Sequence, residues 1–363
     1  MRESTSGDAY PGTFSSQSYS PTDIGLETEV PSTGSWEADA RLTDLRLTEP
    51  ASAPRPSGVF GNASRDVAVI IVNWNTSDLL RACLQSLAED RHGRLARVIV
   101  VDNASTDGSA EMVGTGFPRA QLIQPGRNTF YAAGNNIGLA RVRERYALLL
   151  NPDTEVEAGA IDTLAGFLDR HPDTAVVAPQ LYHPNGEIQR SCRGFPTPSA
   201  LVAERMGLSR LWRFMPAFGA YRMAGWNHDT ERRVDQPMGT ALLVRMAVVD
   251  QVGLMDEQFP LFYNEVDWLY RMCRAGWEIW FTPMARVLHH GGSSTRQVRL
   301  KASWLSHFAL HAFYRKHFKG GLRPLVYGLI VASIYAHGLV ASMEIVVRAM
   351  VSRLMNRPSG IGK

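Results

Sequence analysis

Val67-Ala-Val-Ile-Ile-Val72, running directly into Asn73-Trp-Asn75, is the stretch that decides the fold. An apolar run dominated by β-branched residues, with no polar alternation, is the pattern of a strand buried on both faces. A strand of that kind sits inside a sheet covered on both sides, so the polar residues that end it mark a rim where ligands can reach the backbone.

Working outward, the pattern repeats. Thr76 or Ser77 can cap a helix running to about Ala88, with Leu79, Leu80, Cys83, Leu84 and Leu87 on one face. Strands follow at Val98–Val101, Leu122–Ile123, Tyr146–Leu150 and from Val176, with helices expected over Tyr131–Glu144 and Gly159–Arg170. Strand and helix in alternation specify an α/β domain with a mostly parallel sheet and helices on both faces. Beyond Leu181 the alternation weakens. Asn185-Gly186 signals a hairpin, and Phe195 to Gln236 is either an acceptor-binding insertion or an ordinary long connection. Order returns at Gly239–Val244 and in a helix over about Glu265–Ala275.

The flanks differ in kind. Residues 1–64, rich in Ser, Thr, Pro and Gly, are expected to form a disordered arm. Residues 65–298 make the catalytic domain, and 299–363 a basic and apolar helical segment. A chain of 363 residues with 45% hydrophobic and 20% charged residues has room for one large domain with such extensions. The net charge of +3 gives no reason to expect a nucleic-acid partner. Its distribution says more: from Arg286 onward there are twelve Lys/Arg against the single acid Glu344. That end suits anionic lipid headgroups or a phosphorylated acceptor, or is simply a solvated basic face. Cys83, Cys192 and Cys273 lack metal or disulfide spacing, and no secretory signal is apparent, so the catalytic part is expected in the cytoplasm.

The strand ends carry the chemistry. Asn73-Trp-Asn75 and Asp102-Asn-Ala-Ser-Thr-Asp-Gly-Ser109 lie side by side. A carboxylate there can accept from a base N–H or ribose hydroxyls, although the same residue types also build turns and caps. Leu150-Asn-Pro-Asp-Thr-Glu155 holds Asp153 just past a strand, where a hard cation with oxygen ligands fits. Glu265 and Asp267 enter a helix in an apolar, aromatic setting, as a general base for a hydroxyl requires. His289 and His290 end a strand-like run at a Gly-Gly turn.

Taken in order from Val67 to Gly292, these motifs resemble glycosyltransferase family 2, in its bacterial rhamnosyltransferase-like branch. The resemblance is carried by Val72-Asn-Trp-Asn75, Asp102-Asn-Ala-Ser-Thr-Asp-Gly108, Asn128 with Tyr131-Ala-Ala-Gly-Asn-Asn-Ile-Gly138, and Leu150-Asn-Pro-Asp-Thr154. Its second half is Pro237-Met-Gly-Thr-Ala241, Asn264-Glu-Val-Asp267 and Leu288-His-His-Gly291. It implies a GT-A fold, with a Rossmann-like nucleotide-binding sheet. It also implies an inverting transfer of a sugar, rhamnose favoured, from a nucleotide diphosphate donor (dTDP-rhamnose or a UDP-sugar) to a lipid-linked or glycan acceptor. Carried onto this chain, Asn75, Asp102 and Asp107 hold the nucleotide together with Asn128, while Asn135 and Asn136 line the donor pocket. Asp153 and His289 bind Mg2+ or Mn2+. Glu265 stands where the family places its base, usually Asp, and Asp267 is a rival for that role or a support. Asn264 replaces an acid found in many relatives, and Asn151 the first acid of a full Asp-x-Asp.

Leu325–Met343 is apolar and nearly long enough to cross a bilayer, with basic residues on both sides. It spans, lies in the interface at the inner face of the cytoplasmic membrane, or packs on the domain. Two other classes are disfavoured. A dinucleotide-binding dehydrogenase requires Gly-x-Gly-x-x-Gly where Asn-Trp-Asn-Thr-Ser stands. A catalytically silent scaffold has no use for Asp153, Glu265, Asp267 and His289 together.

Overall fold

The computed structural model describes residues 65–88, 91–211, 213–214, 219–291 and 299–355. The arm expected over residues 1–64 lies outside them, as does most of the Gly-Gly turn after His290.

β1 (Val67–Asn73) is buried along its whole length. Its side chains alternate between two cores: Val67, Val69 and Ile71 face one, Ala68, Ile70 and Val72 the other. The unbroken apolar run therefore reflects cover on both faces. α1 (Ser77–Ser86) follows, with Thr76 at its N-cap position. The Thr76 hydroxyl does not cap; it donates to Asn73 Oδ1 at 2.6 Å, and Asp107 accepts from the Ser77 N–H instead. Next come β2 (Leu95–Asp102), α2 (Ser109–Gly116), β3 (Gln121–Ile123) and α3 (Phe130–Leu139).

α3 packs onto β1 through glycines. A Cβ at Gly138 would sit 2.4 Å from Ile70 Cγ2, and one at Gly134 2.7 Å from Val72 Cγ1. The helix stops earlier than the expected Glu144, because Arg97 bonds both the Arg141 carbonyl and the Glu144 carboxylate and holds that segment out of the helix.

β4 (Tyr146–Leu150), β5 (Thr154–Val156), α4 (Ala160–Arg170) and β6 (Thr174–Tyr182) complete the first half. The Asn185-Gly186 turn pairs β6 with β7 (Ile188–Gln189), antiparallel as expected of a hairpin. β8 (Cys192–Arg193), α5 (Pro198–Arg205), β9 (Arg232–Arg233) and β10 (Gln236–Pro237) are short. β11 (Ala241–Arg245), α6 (Met246–Val252), α7 (Asn264–Arg274) and β12 (Glu278–His289) rebuild the sheet.

The strand order is β3-β2-β1-β4-β11-β6-β12-β5. β3, β2, β1 and β4 are mutually parallel, and β6 is parallel to β12. β11 enters antiparallel between β4 and β6, and β5 closes the edge antiparallel to β12. This mixed, mostly parallel sheet flanked by helices is a GT-A architecture. α1, α2 and α4 cover one face; α3, α6 and α7 cover the other.

The C-terminal helices α8 (Arg299–His317) and α9 (Pro324–Met355) join that second face. Leu310, Phe313, Tyr314, Ile330 and Ile334 are buried in the same core as β1 and α3, so no break between cores occurs at residue 299.

Candidate active site

The parallel strands deliver their polar ends to one crevice. Asn73 pairs with Asp102 across β1 and β2, and its Nδ2 donates to Asp102 Oδ1 at 2.9 Å and to Ser105 Oγ at 3.1 Å. Asp102 is 1% exposed, its second oxygen accepting from the Ser105 N–H. Asn75, held at φ 52°, accepts the Thr106 N–H. Asp107 receives the Ser109 hydroxyl and the N–H groups of Ser77 and Ser109; burial raises its pKa, and these hydrogen bonds, the hydroxyl's first, outweigh that and lower it. Much of this cluster thus does what turn and cap residues do: it cross-links two strand-end loops into a rigid rim.

The loop before α3 is fastened to the same rim. Asn103 accepts from the Thr129 N–H and hydroxyl and donates to the Phe130 carbonyl. Asn128 accepts the Phe130 N–H at 2.8 Å. Phe130 (φ 61°) and Tyr263 (φ 65°) share the left-handed backbone of Asn75, and each adjoins the start of a helix at the crevice. Strain stored at such positions is a mark of functional sites.

Asn135 is buried, with Nδ2 on the Tyr131 carbonyl one turn back. Asn136, expected to line the donor pocket, is held by three hydrogen bonds. Its amide donates to the Met255 carbonyl and Glu257 and accepts the Met255 N–H, so it ties α3 to the segment before α7.

Asp153 and His289 are brought together by strand pairing. β5 lies antiparallel to the end of β12, with Thr154 opposite His289. Asp153 Oδ1 stands 3.5 Å from His289 Nε2. His289 Nδ1 lies 2.8 Å from Gln189 Oε1, which can only accept, so Nδ1 carries a proton and, in the neutral ring, Nε2 presents a lone pair to the carboxylate. Two acceptors facing each other call for a proton or a cation between them. The pair therefore fits a hard divalent cation. Among the described residues no group of three or more such ligands occurs. His290 faces the other way and pairs with Glu155 at 2.8 Å.

Glu265 and Asp267 share the first turn of α7, yet their settings differ. A Cβ at Gly239 would lie 3.4 Å from Glu265 Cγ and 3.5 Å from Tyr131 Oη, so both side chains border this glycine. Tyr131 donates its hydroxyl proton to the Gly239 carbonyl at 2.6 Å. Burial raises the Glu265 pKa, partly offset by N–H groups of its own turn. The Tyr131 phenol is pushed up first by burial and then by the charges of Glu265 and Asp153. Asn264 accepts the Glu265 N–H, and its buried Nδ2 has no partner among the described residues.

Asp267 has no exposed side-chain surface and receives Arg271 Nε at 2.9 Å, Lys316 Nζ at 2.7 Å and His317 Nε2 at 2.7 Å. Burial raises its pKa, and these donors outweigh that and lower it. A carboxylate so occupied is an anchor between α7 and α8, and a poor proton acceptor.

Gln189, Tyr131 and the Lys316–His317 pair were not among the expected site residues. Tyr131 stood within a quoted motif, but nothing local marks Gln189, whose partner is a hundred positions away.

The family model for glycosyl transferase family 2 matches residues 68–223. An N-acetylglucosaminyl-diphospho-decaprenol L-rhamnosyltransferase of Mycobacterium tuberculosis is 30% identical over 240 residues, covering 62% of this chain and 76% of that protein. The chain belongs to glycosyl transferase family 2. This glycosyltransferase is also 24% identical over 244 residues to the low-salt glycan biosynthesis hexosyltransferase Agl10 of Haloferax volcanii, covering 66% of this chain and 71% of the relative. Among solved structures, the mannosyltransferase PcManGT from Pyrobaculum calidifontis, in complex with GDP-Man and Mn2+, matches the glycosyltransferase with a TM-score of 0.49 at 15% identity. That match covers 86% of this chain and 80% of that one.

Proposed function

We propose that this glycosyltransferase is an inverting enzyme that moves a sugar from a nucleotide diphosphate donor to a hydroxyl of a lipid-linked acceptor at the inner face of the cytoplasmic membrane. The name of the mycobacterial relative supports rhamnose as the sugar and a polyprenyl-diphosphate-linked sugar as acceptor; the donor proposed is dTDP-rhamnose, with a UDP-sugar next.

The observation that carries the reading is the contrast between Glu265 and Asp267. Of two carboxylates on one turn, Glu265 is the one left without a cationic partner among the described residues, its pKa raised by burial. A carboxylate in that state suits proton transfer near neutral pH. Glu265 takes the proton of the acceptor hydroxyl as the oxygen forms its bond to the anomeric carbon. The bond from that carbon to the diphosphate oxygen breaks, and the nucleoside diphosphate leaves with the electron pair. Attack opposite the leaving group inverts the anomeric configuration. Tyr131 and Gly239 set the rotamer space of Glu265, and the rim of Asn75, Asp102 and Asp107 with Asn128 and Asn135 shapes the nucleotide side. Asp153 and His289 would hold Mg2+ or Mn2+, which would supply charge neutralisation for the departing diphosphate.

The test is release of nucleoside diphosphate from a panel including dTDP-rhamnose and UDP-hexoses, with and without Mn2+, by wild type, Asp153→Ala and Glu265→Gln, and NMR of the product's anomeric centre. Turnover lost in both variants with inverted product is expected. A retained configuration, or full activity of Glu265→Gln, overturns the mechanism. Donor binding without turnover in the wild type brings the scaffold reading back.

A further inference from the structure

The C-terminal helix pair divides sharply between two faces. On α9, Leu325 (76% exposed), Leu329 (64%), Val340 (55%), Met343 (67%) and Val347 (54%) fall at intervals of three, four or eleven residues, so they share one stripe. The stripe extends over about 33 Å at 1.5 Å per residue. Ile330 (5%) and Ile334 (0%), on the opposite side, pack toward α8 and the catalytic core. Basic residues bracket the stripe: Arg315, Lys319 and Arg323 are exposed around the α8–α9 turn, and Arg348 at the far end.

Pro324–Arg348 is long and apolar enough to cross a membrane. Its inner face argues otherwise. His307 Nε2 meets His337 Nδ1 at 2.9 Å, and His311 contacts the Tyr335 hydroxyl at 2.7 Å and that of Tyr327 at 3.2 Å. α8 is in turn anchored to the catalytic helix through Lys316 and His317 on Asp267. Crossing the bilayer would carry these imidazoles into hydrocarbon, or strip α9 from α8 and expose Ile330 and Ile334. Both are costly, and neither is needed for a helix lying flat.

We infer that α9 is an in-plane membrane element: its stripe sinks into one leaflet of an anionic bilayer while Arg315, Lys319, Arg323 and Arg348 meet phosphate headgroups. This deepens the proposal of a membrane-surface enzyme. Because α8 is pinned to the helix that carries Glu265, the same contact holds the catalytic crevice at a set height and tilt above the lipid.

The experiment is flotation of the full-length protein with vesicles of phosphatidylcholine alone or mixed with phosphatidylglycerol, followed by alkaline carbonate extraction. The wild type is expected to float with the anionic vesicles, to bind less as salt rises, and to be released by carbonate. A Leu329→Glu/Met343→Glu variant is expected to lose about tenfold or more in vesicle binding with its circular dichroism unchanged. Lys319→Glu/Arg323→Glu should remove the preference for phosphatidylglycerol. Wild type that does not float, or a stripe variant that floats equally well, overturns the inference. So does retention after carbonate, which means a spanning helix, or a dimer that only the stripe variant dissolves, which means a second copy covers the face. Flotation needs no donor or acceptor. Turnover of dTDP-rhamnose without flotation therefore sinks this inference alone, and flotation without turnover sinks only the proposed activity.

Discussion

His317 Nε2 reaches the buried carboxylate of Asp267 at 2.7 Å, two residues beyond Glu265 on the same helix. The side chain that ends α8 therefore bears on the first turn of the helix holding the proposed base. Lys316 adds a second link and bridges Asp256 as well, at 2.6 Å.

Replacing the Asp267 carboxylate by an amide leaves three donors sharing one neutral oxygen and sets an NH2 group against them. Asp267→Asn is expected to cost about 3 kcal/mol, read as a lower urea midpoint at pH 7. The wild type's extra stability should be complete above the unfolded carboxylate pKa, about 4. It should fade as pH falls through the lower folded pKa, so the two proteins converge in acid.

Glu265→Gln is expected to lower kcat by roughly a thousandfold, as loss of a general base does. Stability should move the other way. The folded pKa is raised, so the ionised form is disfavoured in the native state above the unfolded pKa. At pH 7 the variant should melt at or above the wild-type temperature; below pH 4 the difference should vanish. A clearly lower melting point at pH 7 contradicts this account.

Asn264 keeps the position beside the base neutral. Asn264→Asp puts a like charge one residue away, and the acid limb of the pH–rate profile should rise by about one pH unit. An unchanged limb would mean that Glu265 is not the titrating base.

Gln189→Ala frees the His289 ring. Mn2+ affinity, read from the EPR signal of free manganese without any sugar present, is expected to fall about 10–100-fold. Asp153→Ala should abolish it, and Asn136→Ala should leave it unchanged.

Gly138→Ala forces a methyl against Ile70. A loss of about 1–3 kcal/mol is expected, with donor binding retained in the fraction that folds.

Sequence and structure agree best where a residue's role depends on its neighbours in the chain. β1 and β4 were readable because cover on both faces writes itself as an unbroken apolar run. The Asn185-Gly186 hairpin was readable because turn chemistry is local. The direction of β11 was not, since an antiparallel strand flanked on both sides has the same composition as a parallel one. Among site residues, Asp153, His289 and Glu265 stood in motifs, and the structure brings the first two within 3.5 Å. Asn136 stood in a motif too, but its amide is occupied by Met255, a partner 119 positions on that no local pattern reports. Asp267 stood in sequence as a rival to Glu265 for the base, and what sets the two apart, Lys316 and His317, arrives from α8.

The irregularity in β12 has a consequence for the metal pair. Thr282 stands opposite Pro179 and Arg286 opposite the very next residue, Gln180, so three residues are looped out between them. Side chains alternate along a strand, and the phase of everything after the loop depends on that number. Losing one residue there, even exposed Met284, and carrying the slip to the strand's end would turn His290 toward Asp153 and His289 away. The length of a surface kink is thus part of how the protein spells its proposed cation site, and a histidine in tandem with another is only as specific as the count that precedes it.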